Sequence, residues 1–159
     1  MTDLKLLSTY LNDHLAGSTV GVELSRRAAK NNEGTELGSF LERLAAEIGE
    51  DRDTLHTIMD RLDVKKDRVK VAAAWTGEKA GRLKPNNRLF SYSPLSRLIE
   101  LEGLALGVEG KRGLWQVLAE LTEPRLAEFD FEQLIERARS QRDELQQRRL
   151  AAGLEAFEA

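Results

Sequence analysis

Several residues able to do chemistry fall where a helical apolar stripe calls for leucine or isoleucine. At 100° per residue, His14 and Ser18 lie within the stripe of a first amphipathic segment. Asp51 is at the centre of the second stripe, with Glu47 one turn earlier and Arg52 at its edge. Glu102 stands between Ile99 and Leu106 in the third, with Glu109 two turns on. In the fourth, Gln141, Arg142 and Arg149 replace apolar residues. Carboxylates and an imidazole facing one another can hold a metal ion, whereas a carboxylate facing a guanidinium makes a bidentate ion pair. His14 and Ser18 are also an i, i+4 base and hydroxyl, but no oxyanion donors accompany them. A buried charge left alone costs several kcal/mol, so these acids call for a metal, an arginine or a proton.

The elements that must position them are helices. Leu4, Leu7, Leu11, Leu15, Val22 and Ala29 give a 3.6-residue period over residues 3–30, which Asn31, Asn32 and Gly34 stop. Thr35 is a good N-cap type for a second helix over 36–62, carrying Leu37, Leu41, Leu44, Ile48, Leu55, Ile58 and Leu62. Ser93 with Pro94 launches a third helix to about residue 121. Leu95, Leu98, Ile99, Leu106 and Val117 form one apolar face of it, and Leu101, Leu104, Val108 and Trp115 a second. A helix apolar on both sides is expected to be covered on both, by its own chain or by a second copy. Asp130 with Gln133 is a capping-box variant that opens a fourth helix, with Phe131, Leu134, Ile135, Ala138 and Leu145, running to about residue 157. Most of the polar exceptions lie near the middle of their own helix, so side-by-side packing is expected to gather them in one layer.

The second and third helices are separated by residues 63–93. Antiparallel neighbours need only about 2 to 8 connecting residues, so this crossover is long enough to return along the helices and make the pair parallel. Val69, Ala72, Ala73 and Trp75 suggest a short amphipathic helix within it. Lys65, Lys66, Arg68, Lys70, Lys79, Arg82, Lys84 and Arg88 face only Asp67 and Glu78 over residues 65–88, a basic strip on an acidic molecule. Trp75, Phe90 and Tyr92 are not interleaved with these cations as bases would require, so the strip reads as a solvated surface.

Composition bounds the rest. At 159 residues the chain is expected to be one domain, 1–159. It has no Cys and two His, which excludes disulfides, thiolate chemistry and a three-His zinc site. A net charge of −3 speaks against general nucleic-acid binding. With no bilayer-length apolar run and no signal-peptide layout at the start, the expectation is a cytoplasmic protein without membrane association. Arg outnumbers Lys, a composition common in GC-rich bacterial genomes. Gly17-x-x-x-Gly21 in the first helix permits close helix approach or room for a ligand. Gly107, Gly110 and Gly113 surround Lys111, but no strand precedes them and the phosphate-loop order is absent. Tyr10 and Trp115 read as core or interface anchors.

A four-helix bundle with one long helical crossover between its second and third helices, and with inward carboxylates at mid-height, resembles the ferritin-like superfamily of di-metal carboxylate proteins. The resemblance implies a Glu from each of two helices and Glu-x-x-His from each of the other two, binding two iron or manganese ions. Glu102 matches the single inward Glu of the third helix, and the second offers Glu47-x-x-Glu50 and Asp51. His56 lies to the side, Glu23 points away from its stripe, and His14 holds the inward place. Where the fourth helix would carry Glu-x-x-His stand Arg139, Ser140, Gln141 and Arg142. An arginine in that layer repels cations. The expectation is therefore a non-catalytic structural or interaction protein with no cofactor, in which Arg142, joined by Arg52, bridges Asp51 and Glu102 beside His14. Replacing Arg142 with Met would then cost about 3 to 5 kcal/mol. The alternative is an iron- or manganese-dependent oxidoreductase or iron-handling protein, with His14, Glu47, Asp51 and Glu102 as ligands. A homodimer is expected through the second apolar face of the third helix, that of Leu101, Leu104, Val108 and Trp115, or through the crossover; a small-molecule ligand in the polar layer would require a cavity reaching solvent near Glu102.

Overall fold

In the computed structural model, residues 2–73 and 92–158 are described, and they contain helices, turns and irregular chain but no strand. Four long helices dominate: α1 (Leu4–Asn31), α2 (Glu36–Arg61), α3 (Pro94–Ala119) and α4 (Phe131–Phe157). Each is about 40 Å long. Their starts are fixed by side-chain caps. Asp3 accepts from the Lys5 and Leu6 amides, Thr35 from Gly38, Ser93 from Ser96 and Asp130 from Gln133. A single 3₁₀ turn, Pro124–Leu126, lies between α3 and α4.

The α1–α2 turn is built without slack. Gly34 takes φ +79°, and a Cβ on Gly38 would stand 2.2 Å from the Asn32 carbonyl oxygen, so glycine is required where α2 passes under the end of α1. Buried Asn32 caps this corner, donating to the Ala28 carbonyl at 2.8 Å and to the Tyr92 hydroxyl at 2.9 Å while accepting from Arg97 Nε at 2.9 Å.

Two apolar clusters set the directions of the helices. One joins the first half of α1, the last half of α2, the last half of α3 and the start of α4, around Leu11, Ile58, Trp115 and Phe131. The other joins the opposite halves, around Val22, Leu41, Leu101 and Leu145. Hence α2 and α3 run the same way, and the chain between them returns from one end of the helices to the other. Its start is tied to α1 by buried Asn12, whose side chain donates to the Lys65 carbonyl at 3.0 Å and accepts from the Asp67 amide at 2.6 Å. Its end is tied by Tyr92 at the α1–α2 corner. Residues 68–73 are helical, with Val71 packed against the core and Val69, Ala72 and Ala73 exposed. Trp75, Lys79, Arg82, Lys84, Arg88 and Phe90 lie outside the described residues.

The two apolar faces of α3 divide differently from the expectation. Leu101, Leu104, Val108 and Trp115 are buried together with Leu98, while Ile99, Leu106 and Val117 are exposed. The stripe containing Glu102 is therefore the outer one, and the inner stripe carries Lys111 instead.

Candidate functional site

A polar layer separates the two apolar clusters. Asp51 lies between Ile48 of one cluster and Leu55 of the other, and Lys111 between Val108 and Leu114. Arg137 follows Leu134 of one cluster and precedes Ala138 of the other. Asp51 is 2% exposed and is held from two helices: Lys111 Nζ of α3 donates to its Oδ2, and Arg137 Nη2 of α4 to its Oδ1. Lys111 also donates to Gln141 Oε1 at 2.6 Å, and Gln141 Nε2 donates to Glu47 Oε2 at 2.7 Å. Arg137 Nη1 reaches Glu50 Oε2 at 2.9 Å. The layer is thus a chain of bonds running Glu47, Gln141, Lys111, Asp51, Arg137, Glu50 across α2, α3 and α4.

Its electrostatics follow from burial. Removal from water pushes the Lys111 ammonium below its ordinary pKa, opposed chiefly by the Asp51 carboxylate. For Arg137 burial also works against the charge, but Asp51 and Glu50 outweigh it and raise the guanidinium above its usual value. The buried Lys111 ammonium therefore depends on the Asp51 carboxylate to stay charged.

Of the residues anticipated in this layer, Glu47, Asp51 and Gln141 are brought together. Arg142 is not. It pairs with Asp143 at 2.7 Å and Glu109 at 3.5 Å on the outside of α4, because the inward stripe runs through Leu134, Ala138, Gln141 and Leu145, and Arg142 is turned 100° from it. Glu102 is 46% exposed and accepts from Arg149 Nη1 at 3.0 Å, so the anticipated Arg142 bridge between Asp51 and Glu102 is replaced by Lys111 and Arg137 acting on Asp51 alone. Sequence reasoning passed over both cations. Lys111 follows Leu104 and Val108 at helical spacing, but that signal was masked by the glycines around it; Arg137 sits beside the stripe and reaches in with a long side chain.

Arg52, His14 and Ser18 stand on a neighbouring feature, a cavity of about 470 Å³ between α1, α2 and α3. Asp51 and Lys111 are part of its wall. Its width comes from Gly17 of α1 and Gly107 and Gly110 of α3, where an added Cβ would meet nothing within 4 Å. His14 packs edge-on against Tyr10, with centroids 4.6 Å apart, and burial lowers its pKa against the opposing pull of Asp13. Ser18 donates to the Leu15 carbonyl of its own helix at 2.7 Å.

The donors anticipated for two metal ions do not fit such a centre. Glu102 faces Arg149, His14 is at the cavity, Glu47 is bound to Gln141, and both oxygens of Asp51 accept from cations. Among the described residues no group of three or more His, Asp or Glu side chains could hold a metal ion. Comparison with family models, curated proteins and solved structures finds no match to this chain.

Proposed function

We propose that the chain is a ferritin-like four-helix bundle serving as a non-catalytic structural or interaction protein, in which buried ion pairs stand where the family carries metal ions. The observation that carries this reading is the Lys111 ammonium between Asp51 and Gln141 at mid-height, with Arg137 on the other oxygen of Asp51. Two fixed cations neutralise the one deeply buried carboxylate of the described residues and would repel a divalent ion from it. The long return between parallel α2 and α3 supports the bundle assignment.

The reading includes a cytoplasmic location and a homodimer; the face of α3 expected to join it, Leu101, Leu104, Val108 and Trp115, is buried within the chain, which leaves the opposite face with exposed Ile99, Leu106 and Val117 for that role. Among the described residues no helix is long and apolar enough to cross a membrane. Protein produced with iron and manganese supplied in excess, purified without chelators and analysed by mass spectrometry of the elements, is expected to carry neither metal at more than trace occupancy. Near-stoichiometric iron or manganese would overturn the reading in favour of a di-metal oxidoreductase or iron-handling protein.

A further inference from the structure

The cavity between α1 and α3 has features that the ion-paired layer does not explain. Gly17, Gly103, Gly107 and Gly110 are exposed along its rim, so it opens to solvent. At one end the helices meet, since a Cβ on Gly103 would come within 3.2 Å of Leu24. Toward the middle they part, and a Cβ on Gly17, Gly107 or Gly110 would touch nothing within 4 Å. The volume of about 470 Å³ lies within the range of roughly 300 to 1,000 Å³ usual for small-molecule sites. Its wall is largely apolar and aromatic, with Tyr10, Leu104, Val108 and Trp115 among its residues.

The buried arginine nitrogens of the described residues are unequal, and only one of them belongs to a side chain on that wall. Arg137 and Arg148 each have a buried Nε without a partner, but their other nitrogens bind carboxylates. Arg52 has the same orphaned Nε, and no carboxylate of the described residues pairs with its guanidinium. Trp115, on the same wall, likewise has a buried Nε1 without an acceptor, covered by its neighbours rather than open to the cavity. Of the two carboxylates on the wall, Asp51 is already taken at both oxygens and Asp13 pairs with Lys70 at 2.8 Å. The wall therefore holds a guanidinium with no carboxylate partner among the described residues, and such a cation is a ready anchor for an anion.

We propose that this cavity binds a small organic carboxylate with an apolar, aromatic body, its carboxylate on the Arg52 guanidinium and its body in the glycine-walled slot against Tyr10 and Trp115. A planar guanidinium fork favours a carboxylate over a neutral acceptor, and the missing side chains of Gly17, Gly107 and Gly110 leave the room that a flat ring fills.

Titrations followed by amide NMR, using 4-phenylbutyrate and its uncharged counterpart 4-phenylbutanol, test this directly. The acid is expected to shift the amides of Gly17, Gly21, Gly107 and Gly110 and to bind at least about tenfold more tightly than the alcohol. Arg52→Gln should bring the acid down to the alcohol's affinity, and Gly107→Leu, which fills the slot, should abolish both. Unshifted glycine amides, equal affinity for acid and alcohol, shifts confined to the outer residues Ile99, Leu106 and Val117, or undiminished binding by Arg52→Gln would each overturn the proposal. Should Gly107→Leu fail to fold, the Arg52→Gln comparison decides alone, since that side chain makes no hydrogen bond to the described residues.

Discussion

Lys111→Met probes the buried layer where it is most exposed to failure. The substitution preserves the volume and stem of the side chain but removes the ammonium that donates to Asp51 Oδ2 and Gln141 Oε1. Asp51, 2% exposed, then keeps only Arg137, and Gln141 Oε1 loses its donor inside the core. Removing one partner of a buried ion pair costs about 3 to 5 kcal/mol when the other is stranded; the remaining arginine brings the expected loss to about 2 to 3 kcal/mol. For a chain of this length that corresponds to a fall in Tm of roughly 4 to 12 °C. Adding Asp51→Leu removes the stranded charge, and Arg137 can turn fully to Glu50, so the double variant should recover at least about half of the loss. Urea unfolding of the four proteins of this cycle, followed by circular dichroism, gives all the values. A loss below about 0.5 kcal/mol for Lys111→Met, or a double variant as damaged as the two single changes added together, would refute the reasoning.

Arg142→Met, with its charge in water between Asp143 and Glu109, should leave the urea midpoint essentially unchanged in the same assay, against the marked fall expected had it been buried. Gly38→Ala places a methyl against the Asn32 carbonyl and should destabilise by about 1 to 3 kcal/mol, with a lowered urea midpoint as the readout. Tyr92 has its hydroxyl pKa pushed up to about 12, first by burial and further by Glu100, with the Asn32 hydrogen bond opposing. Its contribution is complete below the unfolded value near 10 and is lost as pH climbs toward 12, so wild-type stability should fall across that interval and Tyr92→Phe should flatten the fall. Leu106→Glu, on the outer face of α3, should convert the proposed dimer to monomer by light scattering without changing helix content.

The helices were legible because their signals are local. Caps at Thr35, Ser93 and Asp130 and the 3.6-residue period of α2 need no tertiary information, and all three caps are formed. The direction of α3 relative to α2 also followed, from connection length alone. What was not legible was the rotation of α3 and α4 about their own axes. Both faces of α3 are apolar, so periodicity could not say which one meets α1, and choosing the Ile99 and Leu106 face turned Glu102 inward and Lys111 outward, the reverse of the structure. On α4 a turn of 100° separates Gln141 inside from Arg142 outside, and a long side chain such as Arg137 enters the core from a position that helical averaging assigns to the edge. Asp51 was identifiable because its stripe, from Leu41 to Leu62, is unambiguous. Its partners were not, since they depend on how two other helices are turned. The cavity was foreshadowed only by glycine spacing, which cannot distinguish helices in contact from helices held apart; both occur here, at Gly103 and at Gly107.

In the proposed reading, protein cations rather than metal ions neutralise the Asp51 carboxylate at mid-height. Anomalous difference maps from crystals grown with iron and manganese, recorded on both sides of each absorption edge, test it most directly. The expected result is no anomalous peak within the layer and density for the Lys111 ammonium between Asp51 and Gln141; a peak, or a pair of peaks, bonded to Asp51 with Lys111 swung aside would contradict it.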